Sequence, residues 1–283
     1  MPRYDSPIGR YLFLKIDGIE YRVYYEESGT GIPLLLQHTA ASDGRLWRHL
    51  LSDPEVQKDF RMIAYDLPYH GKSLPPEDVR WWEKEFLLHQ DFIMKFVVAL
   101  SKELELERPV YMGCSMGGHL APDLALYYPD EFRAVIGVES AMLTPHHYYV
   151  PWWHHPRISD DSKPALMYGF MAPSSPEKYR RETVWTYAQA APPILKGDLF
   201  YYSVEHDLTG KASQIDTTKC AVYLLTGEYD WASTPEMTQA LANEIKGAKF
   251  VKMEGLGHFA MSENPKLFKT YLTPVLKEIK KLR

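Results

Sequence analysis

The chain is poor in the features that mark several common classes. It has two cysteines in 283 residues, Cys114 and Cys220, too few for a disulfide framework and wrongly spaced for a zinc site. No apolar run approaches the ~20 residues of a membrane-spanning helix. The opening MPRYDSPIGRYLFLKIDG has no apolar core behind a basic start, so no secretory signal and a cytoplasmic location are the expectation. Net charge is mild, −5 from 32 basic and 37 acidic residues. It supplies no electrostatic reason for a nucleic acid or a membrane as partner. There is no internal repeat and no low-complexity tract. A small molecule is the expected partner, with a homo-oligomer left open, and no cofactor is called for.

What is present is an alternation of strand-like and helix-like segments. YLFLKI (11–16) and YRVYYEES (21–28) read as strands joined by a turn at Asp17-Gly18. PLLLQ (33–37), RMIAYD (61–66), PVYMG (109–113), AVIGVES (134–140), AVYLLTG (221–227) and KFVKMEG (249–255) follow. Several are apolar throughout, as strands buried on both faces must be. Helical spacing is read at 45–51, 81–104, 115–128, 235–245 and 264–280. The pattern predicts an α/β fold, a mostly parallel sheet with helices on both faces. Residues 144–217 break it, with no clear strand, many prolines and a heavy aromatic load. They read as an insertion, or cap, over a core made of 1–143 and 218–283.

The stretch PVYMGCSMGGHLA (109–121) places Ser115 between glycines where a strand hands over to a helix. Glycines let the chain turn tightly and let neighbours approach. The serine is then lifted above the strand's carboxyl end, beside the free N–H groups of a helix start. A chain of this length meets G-x-S-x-G by chance about one time in ten, so the context matters more than the pattern. A nucleophilic serine needs a base, and the base needs a carboxylate. Asp230 follows the strand ending at Gly227, and His258 follows the next strand. Catalytic groups of open α/β sheets gather beyond strand carboxyl ends. Ser115, Asp230 and His258 all fall there, in that order.

These stretches resemble the α/β-hydrolase superfamily: QHTAASDGRLW after the third strand, YDLPYHGKS after the fourth, GCSMGG, GEYDW and GLGHFAMSENP. The resemblance covers nearly the whole chain outside 144–217. It implies an eight-stranded sheet, a Ser-Asp-His triad and a cap where the insertion lies. It places the oxyanion donors at the Met116 N–H and at Ala40, in the loop after LLLQ. Thr39 stands where the family usually has glycine, so its hydroxyl is an alternative donor. Glu139, after the sixth strand, is the rival to Asp230.

The expected activity is hydrolysis of a carboxylic ester or lactone of a small to medium, partly apolar substrate through an acyl-enzyme. The alternatives are hydrolysis of a carbon–carbon bond in a ring-fission diketone, or a ligand receptor on the same fold. A cation in the cap, Arg157, Arg180 or Arg181, would favour the carbon–carbon reading by holding a carboxylate. His38, Tyr149, Trp152, Trp153, Trp185 and Trp231 are the expected pocket residues. The histidines at 146, 147, 154 and 155 lack the partners a metal site needs and read as polar cap residues.

Overall fold

The computed structural model describes residues 4–150, 153–155 and 162–282. Its strands are β1 (Ile8–Ile16), β2 (Ile19–Ser28), β3 (Ile32–Gln37), β4 (Phe60–Tyr65), β5 (Val110–Cys114), β6 (Ala134–Val138), β7 (Ala221–Gly227) and β8 (Lys249–Met253). They form one sheet in the order β1-β2-β4-β3-β5-β6-β7-β8. β2 pairs antiparallel with β1 and with β4, and every later pairing is parallel. The β1–β2 hairpin closes through Asp17 (φ 48°) and Gly18 (φ 84°). Two left-handed residues are what a tight turn between twisted strands requires.

The helices are α1 (Arg48–Leu51), α2 (Pro54–Gln57), α3 (Gln90–Glu103), α4 (Met116–Tyr127), α5 (Ser162–Gly169), α6 (Glu177–Tyr187), α7 (Ile194–Phe200), α8 (Pro235–Glu244), α9 (Ala260–Glu263) and α10 (Pro265–Ile279). The sheet lies between two apolar layers. Phe96 and Val97 of α3 and Leu120 and Leu124 of α4 belong to one, and Trp47, Phe268 and Leu272 to the other. Local chemistry starts some helices cleanly. Thr234 and Asn264 accept from the Met237 and Leu267 N–H groups, each with proline next in the chain.

The helix expected over 81–104 is shorter. It begins at Gln90, after a single turn at Trp81–Glu83. Its start is capped from far away: the Glu205 carboxylate accepts from the Gln90 N–H. Phe86 falls outside it and packs on Tyr69 with ring centroids 4.7 Å apart. The segment between β6 and β7 holds α5, α6, α7 and a wide turn at Tyr201–Glu205, with no strand among the described residues. Pro122 lies inside α4.

Candidate active site

The parallel strands point their carboxyl ends to one edge of the sheet, and the segments after β3, β5, β6, β7 and β8 line one cavity there. At the centre, β5 passes into α4 through Ser115, at φ 57°, ψ −114°. Such a conformation costs a non-glycine residue roughly 1–3 kcal/mol. The Ser115 N–H donates to Val138 O at 2.9 Å, and its carbonyl accepts from the His119 N–H at 2.8 Å. Neighbouring backbone must come very close. A Cβ on Gly113 would sit 2.3 Å from Gly117 O, and one on Gly118 2.1 Å from Val138 O. That is why the serine is set among glycines.

Asp230 and His258 sit beyond β7 and β8. His258 Nδ1 lies 2.8 Å from Asp230 Oδ2, and Asp230 Oδ1 accepts from the Ala232 N–H at 2.8 Å. A carboxylate can only accept, so Nδ1 carries the proton. His258 Nε2 makes no hydrogen bond among the described residues and is left as an acceptor. The His258 backbone is held by its N–H on Phe170 O (3.1 Å) and by the Cys114 thiol on its carbonyl (3.2 Å). Cys114 is thus a tie between loops, its buried thiol pushed well above its ordinary pKa.

Asp230 is fully enclosed, and burial pushes its carboxyl up. The electrostatic attraction and hydrogen bond of the His258 ring, then hydrogen bonds from Glu139 and the Ala232 N–H, outweigh burial and hold it below the usual value. Glu139 goes the other way. Burial, then the Asp230 charge, push it well above the carboxylate range, so it keeps its proton. It stands at φ 56° behind Asp230, with both oxygens near the Gly227 N–H at 3.0 and 3.1 Å. Asp230, not Glu139, makes the hydrogen bond to the imidazole.

Ser115 and His258 line one cavity together with Thr39 and Ala40. Neither the Ala40 nor the Met116 N–H has a hydrogen-bond partner among the described residues. Buried amides without partners are rare, and here two flank one serine. The Thr39 hydroxyl is instead taken by the Tyr187 hydroxyl.

The apolar wall comes mainly from the segment between β6 and β7, including Trp153, Met167, Phe170, Leu195 and Leu199. Of the residues read as pocket, Trp153 is on this wall, and Trp152 lies outside the described residues. The others are corrections. Tyr149 and Trp185 face outward, 67% and 70% exposed. Trp231 is about half exposed and stacks on Phe170, centroids 3.9 Å apart, without itself lining the cavity. His38 is buried under the loop it was expected to line the cavity from. Its Nδ1–H donates to Thr39 O (2.8 Å) while Nε2 accepts from the Leu67 N–H (3.1 Å). Burial, with the His70 charge, lowers it to about 3, so it is a neutral prop. Arg180 and Arg181 pair with Glu177 and lie over Tyr168, and Arg157 is outside the described residues. His147, read as a plain polar residue, does reach the cavity. The aliphatic part of the wall carries a fainter sequence signal than the aromatic residues around it. The i, i+4 pair Leu195 and Leu199 in ILKGDLF was the available signal.

The family model for the alpha/beta hydrolase family matches residues 34–269. The chain belongs to that family. Among curated members, it is 28% identical over 122 residues to bifunctional epoxide hydrolase 2 of Sus scrofa, covering 43% of this chain and 21% of that one. It is 29% identical over 141 residues to 2-hydroxymuconate semialdehyde hydrolase of a Pseudomonas species, 50% of this chain and 46% of that one. The chain thus spans less than half the length of these hydrolase-family relatives. Among solved structures, a thermophilic esterase from Thermogutta terrifontis superposes with TM-score 0.76 at 21% identity, covering 96% of this chain and 100% of that one. The enol-lactonase from Burkholderia xenovorans gives TM-score 0.77 at 20% identity, with 94% and 100% covered. These likenesses establish the hydrolase fold. No helix among the described residues is long and apolar enough to cross a membrane.

Proposed function

We propose that the chain is a serine hydrolase that cleaves a carboxylic ester or lactone through an acyl-enzyme on Ser115. The observation that carries this is the pair of unpartnered amides, Ala40 and Met116, beside a serine that shares its cavity with a carboxylate-held imidazole. His258 Nε2 takes the Ser115 proton as Oγ attacks the carbonyl carbon, then returns it to the leaving oxygen. Asp230 keeps Nδ1 protonated and stabilises the imidazolium. The two amides bind the tetrahedral oxyanion, each worth about 3 kcal/mol in the transition state. Water repeats the sequence to release the acid.

The epoxide hydrolase likeness does not extend to a carboxylate nucleophile, because position 115 is serine. The Pseudomonas relative is named for a semialdehyde of muconate, a dicarboxylic acid skeleton. Its carboxylate would want a cation, and no Lys or Arg lines the cavity among the described residues. The wall of Met167, Phe170, Leu195 and Leu199 favours an uncharged ester or lactone. The cavity is small, about 50 Å³, which favours a short acyl group.

The test is a fluorophosphonate probe with peptide mapping, beside a panel of aryl esters of rising acyl length and small lactones. We expect labelling at Ser115, turnover fastest with the shortest acyl groups, and loss of both in Ser115→Ala. Labelling without ester or lactone turnover would shift the assignment to carbon–carbon cleavage or a ligand receptor. No labelling would remove the enzymatic reading.

A further inference from the structure

The loop that supplies the Ala40 amide is not self-supporting. Ala41, the next residue, stands at φ 57°, a left-handed conformation that a Cβ disfavours. Its N–H donates not to its own loop but to Asp198 Oδ2, 2.7 Å away on α7. The same oxygen meets His70 Nε2 at 2.9 Å. His70 Nδ1 lies 2.9 Å from Pro68 O, so both ring nitrogens face acceptors and the ring is an imidazolium. Both side chains are essentially without solvent exposure. Two further contacts tie the same stretch to the segment between β6 and β7: Thr39 to the Tyr187 hydroxyl, and Arg45 to Gln189 Oε1 at 2.7 Å. On the core side, the loop abuts α4 so closely that a Cβ on Gly117 would lie 3.0 Å from His38 O.

A buried ion pair is seldom more stabilising than apolar packing of the same volume. What this one supplies is an acceptor aimed at a single amide. The peptide plane it grips is joined through one Cα to the plane that carries the Ala40 N–H. We propose that Asp198, held by His70, is a positioning residue that sets the Ala40 amide toward Ser115, so that the oxyanion site is complete only when α7 is seated on the sheet. This rests on the serine-hydrolase reading. It adds to that reading a contribution from the inserted segment to the chemistry, beyond the shape of the pocket.

The experiment compares wild type, Asp198→Ala, Asp198→Asn and the double variant His70→Phe/Asp198→Ala. The substrate is a short-chain aryl ester. The ligands are an alkyl boronic acid, which forms a tetrahedral adduct on the serine, and the product carboxylate. Asp198→Ala should lower kcat by about 10–100-fold, part of the effect of deleting an oxyanion donor, with KM within about threefold. Boronate affinity should fall by a similar factor, and product affinity should stay level. Asn keeps an oxygen for the Ala41 N–H and should hold kcat within about fivefold. The double variant leaves no buried charge unpaired, so it guards against Asp198→Ala failing to fold, and it should lose kcat equally.

Wild-type kcat in the double variant, or equal losses in Ala and Asn, would overturn the proposal. So would equal weakening of boronate and product. Failure of the serine-hydrolase reading shows separately, as a wild type that neither labels nor turns over.

Discussion

Two buried histidine–carboxylate pairs flank the nucleophile helix differently: one lines the cavity of Ser115, and the other ties α4 itself to the inserted segment. At the sheet edge, His258 meets Asp230 at 2.8 Å; on α4, Asp123 meets His206 at 2.9 Å. The pair distances do not separate them. What differs is the second ring nitrogen. His206 Nε2 lies 2.9 Å from Ala141 O, and Asp123 Oδ2 also accepts from the Tyr201 hydroxyl and Gln90 Nε2. Burial pushes His206 toward neutrality, but the Asp123 charge outweighs it and its pKa is raised. It is a charged strut between helix and insertion. His258 Nε2 is left without a partner among the described residues, in the cavity that Ser115 also lines. A carboxylate orients an imidazole; a free nitrogen facing a cavity is what gives it a proton to take.

The largest test of that contrast is Asp230→Asn. It should lower kcat about 10⁴-fold, as expected when an orienting carboxylate is neutralised, while the melting temperature moves by a few degrees. Asp123→Ala should do the reverse. Removing the carboxylate takes away the charge that outweighs burial of His206 and strips the Tyr201 hydroxyl and Gln90 amide of their acceptor, a loss of about 3–5 kcal/mol or roughly 5–8 °C in melting temperature, with kcat per folded molecule within about threefold. If thermal melts and ester kinetics ranked the two variants the other way, the contrast would be void.

The smallest effect sharpens the picture within the first pair. The folded-state pKa of Glu139 is raised above its unfolded value near 4.5. Its contribution to stability is therefore complete below that value and is lost as the pH rises toward the folded one. The slope is up to about 1.4 kcal/mol per pH unit. Glu139→Gln has no such proton to lose. Its melting temperature should gain on that of wild type from about pH 5 to 8, and parallel curves would mean that Glu139 ionises in the folded protein.

Much of the core was readable because its signals are local. Apolar runs such as LLLQ and VYMG announce strands buried on both faces, and Thr234-Pro235 and Asn264-Pro265 announce helix starts. The elbow was readable for the same reason: the glycines around Ser115 are demanded by backbone a few residues away or on adjoining strands. The start of α3 was not, since its cap is Glu205, more than a hundred residues on. The cavity wall was misread at Tyr149, Trp185 and Trp231. An aromatic ring reads alike in sequence whether it covers a pocket from outside or lines it.

By itself, the order of residues determined the alternation of strands and helices and the placing of Ser115, Asp230 and His258 at strand ends, because periodicity and turn chemistry act over a few residues. Only the tertiary structure decided which carboxylate meets the imidazole, which amides stay unpaired, and that Asp198 reaches across to the Ala41 N–H. Those outcomes depend on distances between segments far apart in the chain, and on how burial shifts one carboxyl up and its neighbour down. No local pattern encodes either.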